Sequence, residues 1–194
     1  MESRVAKAIV VVKQMLADRG LGLGELENVG DAELRELTTR HDFFHLAADD
    51  RDVVVIARKL KNQDLQKAAA VLDAQRRDKA IIIVTEKPAT FNVRSVLDNY
   101  GMNAEIFTLA ELQFNVSRHQ LVPTHSRMTD LEVKALMETF MLPSKSCLPS
   151  ISVADPMAKY LGIRIGDVVK ITRPSQSAGE TVYYRHCIAI RGAA

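Results

Sequence analysis

The sequence of 194 residues has no tryptophan, only two cysteines and few aromatic residues, and it has no long uninterrupted apolar run. Because no run reaches the roughly 18 to 20 residues that cross a bilayer, we expect no membrane span. The first segment is amphipathic and contains Lys13, unlike a signal sequence, so we expect an intracellular protein. Cys147 and Cys187 are too widely spaced for a zinc box, and we expect two small buried thiols without a disulfide.

Charge of either sign is also not in excess, because the formal net charge is +2. Residues 1–118 hold 17 basic and 18 acidic side chains, whereas residues 119–194 hold 9 basic and 6 acidic ones. Binding to free nucleic acid needs a basic face that neutralises several phosphates, and neither part shows one. We therefore expect any contact with DNA to be weak and to occur within a larger assembly.

The first part of the chain has the pattern of a small α/β domain. Apolar residues recur at helical spacing before Gly20, namely Val5, Ala8, Ile9, Val12, Met15 and Leu16. Two β-branched runs at 53–57 and 80–84 flank a segment of helical composition at 62–77, which predicts a βαβ unit. A helix at 91–100 and a strand at 104–108 would extend this mixed sheet, and the domain would end near Arg118.

The second part has the pattern of a smaller α+β domain. Thr129 and Glu132 form a capping box at the start of a helix, whose predicted buried residues are Leu131, Ala135, Leu136 and Phe140. A second short helix would begin at Asp155-Pro156 and end at Gly162. Strands at 168–172 and 181–188 would form a closing β-hairpin.

Two metal-dependent interpretations have weaker support. A nuclease on the first domain could use Asp49, Asp50 and Asp52 with Glu86 and Lys87, but an adjacent acid and lysine on a strand point to opposite faces. His41 and His45 have the spacing of one helical turn, yet no third ligand is near in sequence. We expect these side chains to be solvated or to belong to an amphipathic surface segment.

The second domain likewise lacks a catalytic pattern. His119 and His125 flank Pro123 without a serine or cysteine nucleophile on a defined turn, so we expect packing or hydrogen-bonding roles for them. Lys170 and Arg173 fall on opposite faces of one strand, so they do not form one phosphate-binding stripe. Arg173 or Arg185 could instead pair with a carboxylate of a neighbouring protein.

Four blocks of the second domain, in this order, resemble one known family. They are residues 119–125 (HQLVPTH), 148–151 (LPSI), 155–162 (DPMAKYLG) and 166–175 (GDVVKITRPS), the last leading to Tyr184-Arg185. This arrangement resembles the small assembly subunit that archaeal RNA polymerase shares with the eukaryotic nuclear RNA polymerases, in which it is the fifth subunit. Residues 12–20 also resemble the first helix of the eukaryotic, two-domain members.

The resemblance implies a noncatalytic subunit of a nuclear DNA-directed RNA polymerase. Residues 1–118 would form a jaw domain near downstream duplex DNA, and residues 119–194 an assembly domain that docks on the largest subunit among the core subunits. We expect no cofactor, no small-molecule substrate and no membrane partner, with a nuclear location that is nucleolar if the chain serves the ribosomal-RNA polymerase. The alternatives are the nuclease and a free-standing transcription adaptor.

Within that interpretation, ten positions are expected to shape or touch the assembly surface. They are His119, Pro123, His125, Asp155, Pro156, Tyr160, Gly162, Lys170, Arg173 and Arg185.

Overall fold

A computed structural model of the chain describes residues 2–40, 43–48, 51–56, 80–86, 88, 104–175, 177 and 179–189. The fold mixes helices and sheets and divides into two units, Met1–Phe114 and Asn115–Ala194. The boundary expected from sequence, after Arg118, lies four residues beyond this division. Among the described helices, none combines the length and apolar character that spanning a bilayer would require.

The N-terminal unit begins with helix α1 (Glu2–Asp18), a 3-10 turn (Gly24–Glu27) and helix α2 (Asp31–Arg40). The six apolar residues predicted for one face of α1 are all 0% exposed, which confirms the predicted core face. The helix ends before Gly20, whose φ of 72° is a backbone conformation that favours glycine.

Four strands form the sheet of this unit: β1 (Phe43–Ala47), β2 (Arg51–Ile56), β3 (Ala80–Thr85) and β4 (Ala104–Thr108), in the order β1-β2-β3-β4. Strand β1 is antiparallel to β2, whereas β2, β3 and β4 are mutually parallel. The parallel pairing of β2 with β3 is the pairing that the βαβ pattern predicts. The predicted helices at 62–77 and 91–100 lie outside the described residues.

A buried ion pair joins the end of α1 to β4. The guanidinium of Arg19 donates hydrogen bonds to both carboxylate oxygens of Glu105, at 3.1 and 2.8 Å. The Arg19 side chain is 5% exposed and that of Glu105 is 23% exposed. Two parallel hydrogen bonds between charged groups fix the relative orientation of helix and strand more strongly than a solvated ion pair would.

The C-terminal unit contains helices α3 (Asp130–Thr139) and α4 (Pro156–Leu161) and strands β5 (Thr124–Arg127), β6 (Ser150–Ser152), β7 (Val168–Ser175) and β8 (Gly179–Ile188). The strand order is β5-β7-β8-β6. Strands β7 and β8 form the predicted hairpin, with eight residue pairs from Val168 opposite His186 to Ser175 opposite Gly179.

Two apolar clusters belong to opposite faces of this sheet, since successive strand residues alternate between faces. Val169, Ile171 and Cys187 pack with Ala158 of α4 on one face, which we call the α4 face. Val168 and Tyr184 pack with Val133 and Leu136 of α3 on the other, the α3 face. The sheet is therefore the central layer of the unit.

Helix α3 has the predicted capping box but not the predicted buried residues. Thr129 and Glu132 exchange the hydrogen bonds of a capping box, and those bonds lower the pKa of Glu132. The contribution of Glu132 to stability is therefore present above its ordinary pKa and is lost as the pH falls through the lowered value. Leu131, Ala135 and Phe140 are exposed, so their predicted burial is wrong, and Val133 supplies the packing together with the correctly predicted Leu136.

The two thiols differ in exposure. Cys187 is 0% exposed on the α4 face, as predicted, whereas Cys147 is exposed at the end of a 3-10 turn (Lys145–Cys147), so its predicted burial is wrong. Burial raises the pKa of the Cys187 thiol, and the negative charges of Asp167 and Asp155 raise it further. The reactive thiolate is therefore disfavoured at Cys187 by both access and charge.

This difference predicts selective alkylation of the native protein. A thiol reagent should label Cys147 readily and Cys187 at least about tenfold more slowly, because Cys187 must first be exposed by local opening. Peptide mass spectrometry after timed labelling measures both rates, and labelling in denaturant is the control. Equal rates in the native protein would contradict the placement of Cys187 in the core.

Candidate functional site

The ends of α4 are fixed by three of the ten predicted positions. The Asp155 carboxylate accepts hydrogen bonds from the backbone N–H groups of Met157 and Ala158, at 2.9 and 3.3 Å. Pro156 occupies the first helical position, and Gly162 ends the helix with a left-handed φ of 64°. The structure confirms this predicted helix, and these residues act by setting its length and direction.

Tyr160 lies in the core of the unit. The residue is 3% exposed, and its hydroxyl accepts a hydrogen bond of 3.0 Å from the side-chain amide of Asn115. Asn115 in turn accepts hydrogen bonds from the backbone N–H and hydroxyl of Ser117. Tyr160 thus joins α4 to the segment that enters the unit, and of the two expected roles only shaping the surface fits its burial.

His119, Pro123 and His125 stabilise the segment that leads into β5. The Nδ1 atom of His119 accepts a hydrogen bond from the backbone N–H of Leu121, at 3.2 Å. The Nδ1 atom of His125 lies 2.7 Å from the carbonyl oxygen of Pro123. Because a carbonyl can only accept, Nδ1 carries the proton in His125, whereas it is the acceptor in His119. These local bonds agree with the hydrogen-bonding roles expected for both histidines.

The basic residues of the hairpin divide between the faces of the sheet. Lys170 pairs with Tyr184 and lies on the α3 face, where its charge contributes to the lowered pKa of Glu132. Arg173 pairs with Thr181, and Arg185 pairs with Val169, so both arginines lie on the α4 face. The predicted separation of Lys170 from Arg173 is confirmed.

Both arginines on the α4 face are exposed but held in place. The guanidinium of Arg173 lies 4.5 Å from the ring centroid of Tyr183 and donates to its hydroxyl at 2.6 Å. Arg185 donates to the carbonyl oxygen of Ser150 at 3.2 Å. In the part of the chain that the structure describes, neither guanidinium pairs with a carboxylate. Each can still offer hydrogen bonds to an acidic partner.

Exposed apolar residues at the end of α3 form a second candidate contact surface, and sequence reasoning did not identify it. Met141 is 90% exposed with a φ of 51°, which is unusual for a residue other than glycine. It lines a groove of about 430 Å³ beside α3, together with Val133, Met137 and Leu142. Phe140 is 59% exposed, and its ring centroid lies 6.3 Å from that of Tyr184. The sequence signal for this surface is the run of apolar residues at the end of α3, which is also what a helix that packs into the core would show.

Within the described residues no three histidine, cysteine, aspartate or glutamate side chains are grouped so as to hold a metal ion. Of the acids considered for a nuclease, Asp52 lies within strand β2. Asp49, Asp50, Lys87 and His41 lie outside the described residues. His45 lies on strand β1, so it does not have the helical position that the histidine-pair interpretation requires.

Residues 114–187 match the protein family described as "RNA polymerase Rpb5, C-terminal domain". This range coincides closely with the C-terminal unit and contains all ten predicted positions.

Individual proteins show the same similarity. The chain is 31% identical to "DNA-directed RNA polymerases I, II, and III subunit RPABC1" of Caenorhabditis briggsae, over 94% of the chain and 93% of that protein. It is 34% identical to the protein of the corresponding name in Dictyostelium discoideum, over 64% of each. "DNA-directed RNA polymerase subunit Rpo5" of the archaeon Methanosarcina mazei is 45% identical over 38% of the chain but 92% of the archaeal protein.

Proposed function

The chain belongs to the family of small RNA polymerase subunits that includes eukaryotic RPABC1 and archaeal Rpo5, and from this membership we propose a noncatalytic role within a nuclear DNA-directed RNA polymerase. The C-terminal unit docks on the largest subunit. The N-terminal unit is the jaw domain and lies near downstream duplex DNA. The names of the eukaryotic relatives extend the proposal to polymerases I, II and III, with a nuclear location that includes the nucleolus.

One observation carries the assignment of docking to the C-terminal unit. An archaeal subunit aligns over 92% of its own length with only 38% of this chain, while the family match covers residues 114–187. A function that all family members have in common must reside in the part that they have in common. We infer that the assembly role belongs to the C-terminal unit and that the N-terminal unit adds a role specific to eukaryotic-type members.

The ten candidate positions divide by exposure within this proposal. Lys170, Arg173 and Arg185 are exposed and contact the partner, whereas Asp155, Pro156, Tyr160 and Gly162 shape the surface through the caps and packing of α4. His119, Pro123 and His125 hold the segment that enters β5. Most of the binding energy comes from apolar and aromatic side chains that are exposed in the free chain and become buried against the partner. Such buried anchors dominate the energy of protein interfaces, whereas charged residues at the rim contribute less.

The charge distribution supports a modest role in DNA contact. Residues 1–118 hold one more acidic than basic side chain, so the jaw domain has no excess of positive charge with which to bind phosphates by itself. The larger polymerase holds the duplex, and the jaw domain lies beside it. DNA contacts made by this unit are therefore weak and occur only within the complex.

Affinity purification of the full chain from its own cells tests the proposal. The two largest polymerase subunits should co-purify in a one-to-one ratio with the chain and remain bound in high salt, as measured by quantitative mass spectrometry. Substoichiometric, salt-labile recovery would favour the free-standing adaptor. Magnesium-dependent DNA cleavage by the purified chain, abolished by Asp52→Ala, would favour the nuclease.

A further inference from the structure

The hairpin extends beyond the strands that flank it. Strand β5 covers the outer side of β7 only from Val169 to Thr172, and β6 covers the outer side of β8 only from His186 to Ile188. The hairpin pairing continues past both, to Ser175 opposite Gly179. The β7–β8 hairpin therefore has a segment on each strand that no neighbouring strand covers among the described residues. The longer of these two open edges is on β8, from Glu180 to Tyr184, and we call it the β8 edge.

The hydrogen bonds of β8 show which backbone N–H and C=O groups of the β8 edge point toward β7 and which point away from the sheet. The N–H of Cys187 donates to the carbonyl of Asp167, on the side of β7. The N–H of His186 donates to the carbonyl of Pro149, on the opposite side. Because these directions alternate along a strand, Glu180, Val182 and Tyr184 direct both their N–H and C=O groups outward from the sheet.

The two open edges differ in chemistry. The β7 edge contains Pro174, which has no N–H to offer, and a proline is a common means of preventing further strand pairing. The β8 edge contains neither proline nor lysine and has the sequence ETVYY, which is rich in residues that favour strands. One edge is blocked, and the other retains every feature that a further strand needs.

We propose that the β8 edge receives an extended segment of a polymerase core subunit, which adds to the sheet as a fifth strand beside Glu180–Tyr184. This inference rests on the proposed function, since it names the surface and the kind of partner through which the C-terminal unit docks. Strand β6 already pairs with the same side of β8 over three residues, so the added strand continues an existing interaction. Main-chain hydrogen bonds give affinity in this mode, and the side chains beside them give specificity.

The side chains of β8 that lie beside the added segment determine which types of residue that segment carries. On the α3 face it meets Val182, which is 39% exposed, and the half-buried Tyr184, so its residues on that face are apolar. On the α4 face it meets Tyr183 and Arg185, so a residue there is acidic. A second copy of this chain fits less well, because antiparallel self-pairing centred on Val182 would place Arg185 opposite Gly179 and no carboxylate would meet it.

Hydrogen exchange at single-residue resolution tests the added strand directly. The amides of Val182 and Tyr184 should exchange at least about tenfold more slowly in the purified polymerase than in the isolated full chain, since they gain hydrogen bonds. The amide of Tyr183 is the internal control, because it bonds to β7 in both states and should change less. Unchanged exchange at Val182 and Tyr184 in a polymerase that contains the chain would overturn the inference and leave the proposed function intact.

A backbone substitution provides the second test. Val182→Pro removes one outward N–H without removing a bond to β7, whereas Val182→Thr keeps the N–H and is the matched control. We expect incorporation of the proline variant into polymerase to fall about tenfold or more and that of the threonine variant to stay near wild type. Circular dichroism checks that both variants fold, and if the proline variant does not, the exchange measurement decides.

Other outcomes of these two tests are also decisive. Normal incorporation of a folded Val182→Pro variant would refute the added strand. A concentration-dependent dimer of the isolated chain, with Val182 and Tyr184 protected, would make a second copy the occupant and overturn the choice of partner. Absence of the wild-type chain from purified polymerase would overturn the proposed function itself.

Discussion

Replacing Tyr160 by alanine is expected to lower the free energy of unfolding of the C-terminal unit by about 3 to 5 kcal/mol, the usual cost of removing a large buried aromatic side chain. Tyr160 is 3% exposed and its side chain forms part of the packing of α4, so the loss of that side chain leaves a cavity beneath the helix. A loss of this size lowers the ratio of folded to unfolded unit about a hundredfold or more. Incorporation into polymerase should therefore fall, although the tyrosine is only 3% exposed and acts through the packing of α4.

Tyr160→Phe is the matched control for this experiment. It keeps the ring and removes only the hydroxyl that accepts a hydrogen bond from Asn115, so we expect a loss of about 1 kcal/mol and near-normal incorporation. Native-state hydrogen exchange of the slowest amides in residues 115–189 measures both losses. An alanine variant as stable as the phenylalanine variant would show that Tyr160 is not a core residue.

The second large effect is expected at the ion pair between Arg19 and Glu105. Glu105→Leu leaves the 5%-exposed guanidinium without its bidentate carboxylate. The expected loss of stability in the N-terminal unit is about 3 kcal/mol, at the low end for breaking a buried pair because the 23%-exposed carboxylate site admits some water. The slowest-exchanging amides of α1 and β3 report this loss.

The double variant Arg19→Met, Glu105→Leu is the control for charge burial. It removes both charges and fills the site with apolar atoms, so it should recover much of the stability that Glu105→Leu loses. A double variant as unstable as the single one would mean that packing, and not the loss of the carboxylate partner, causes the loss. A single variant within about 0.5 kcal/mol of wild type would show that the pair is solvated.

The elements predicted correctly from sequence are those whose signals are local. The face of α1 follows from helical periodicity, and α4 follows from an N-cap aspartate, a proline at the first position and a glycine at the end. The capping box at Thr129 and the strand at Ala104–Thr108 are further examples. In each case the residues that determine the element lie within or beside it.

The features that sequence reasoning missed depend on distant partners. Strand β6 has three residues and exists because β8, more than thirty residues later, offers an edge beside it. The expectation of an amphipathic surface segment around His45 is wrong, because Phe44, Leu46 and Ala48 are buried with the period of two that marks a strand, β1. The exposure of Phe140 and Cys147 likewise depends on where α3 and its following turn meet the sheet.

The candidate site was predictable as a set of positions but not as a surface. The family resemblance identifies the ten residues as one set. It does not separate the residues that shape the assembly surface from those that contact a partner. Tyr160 shows the difference, because its place in a motif gives no indication of its burial. The open edge of β8 could not be inferred from the hairpin sequence, because it arises from the short length of β6, which pairs with β8 over only three residues.

Cross-linking mass spectrometry of polymerase purified through its second-largest subunit tests the central claim most directly. The chain has lysines in both units, including Lys7 and Lys13 in the N-terminal unit and Lys145 and Lys170 in the C-terminal unit. We expect cross-links to the largest subunit to come mainly from the C-terminal lysines. Cross-links to that subunit only from the N-terminal lysines, or absence of the chain from the purified enzyme, would contradict the account.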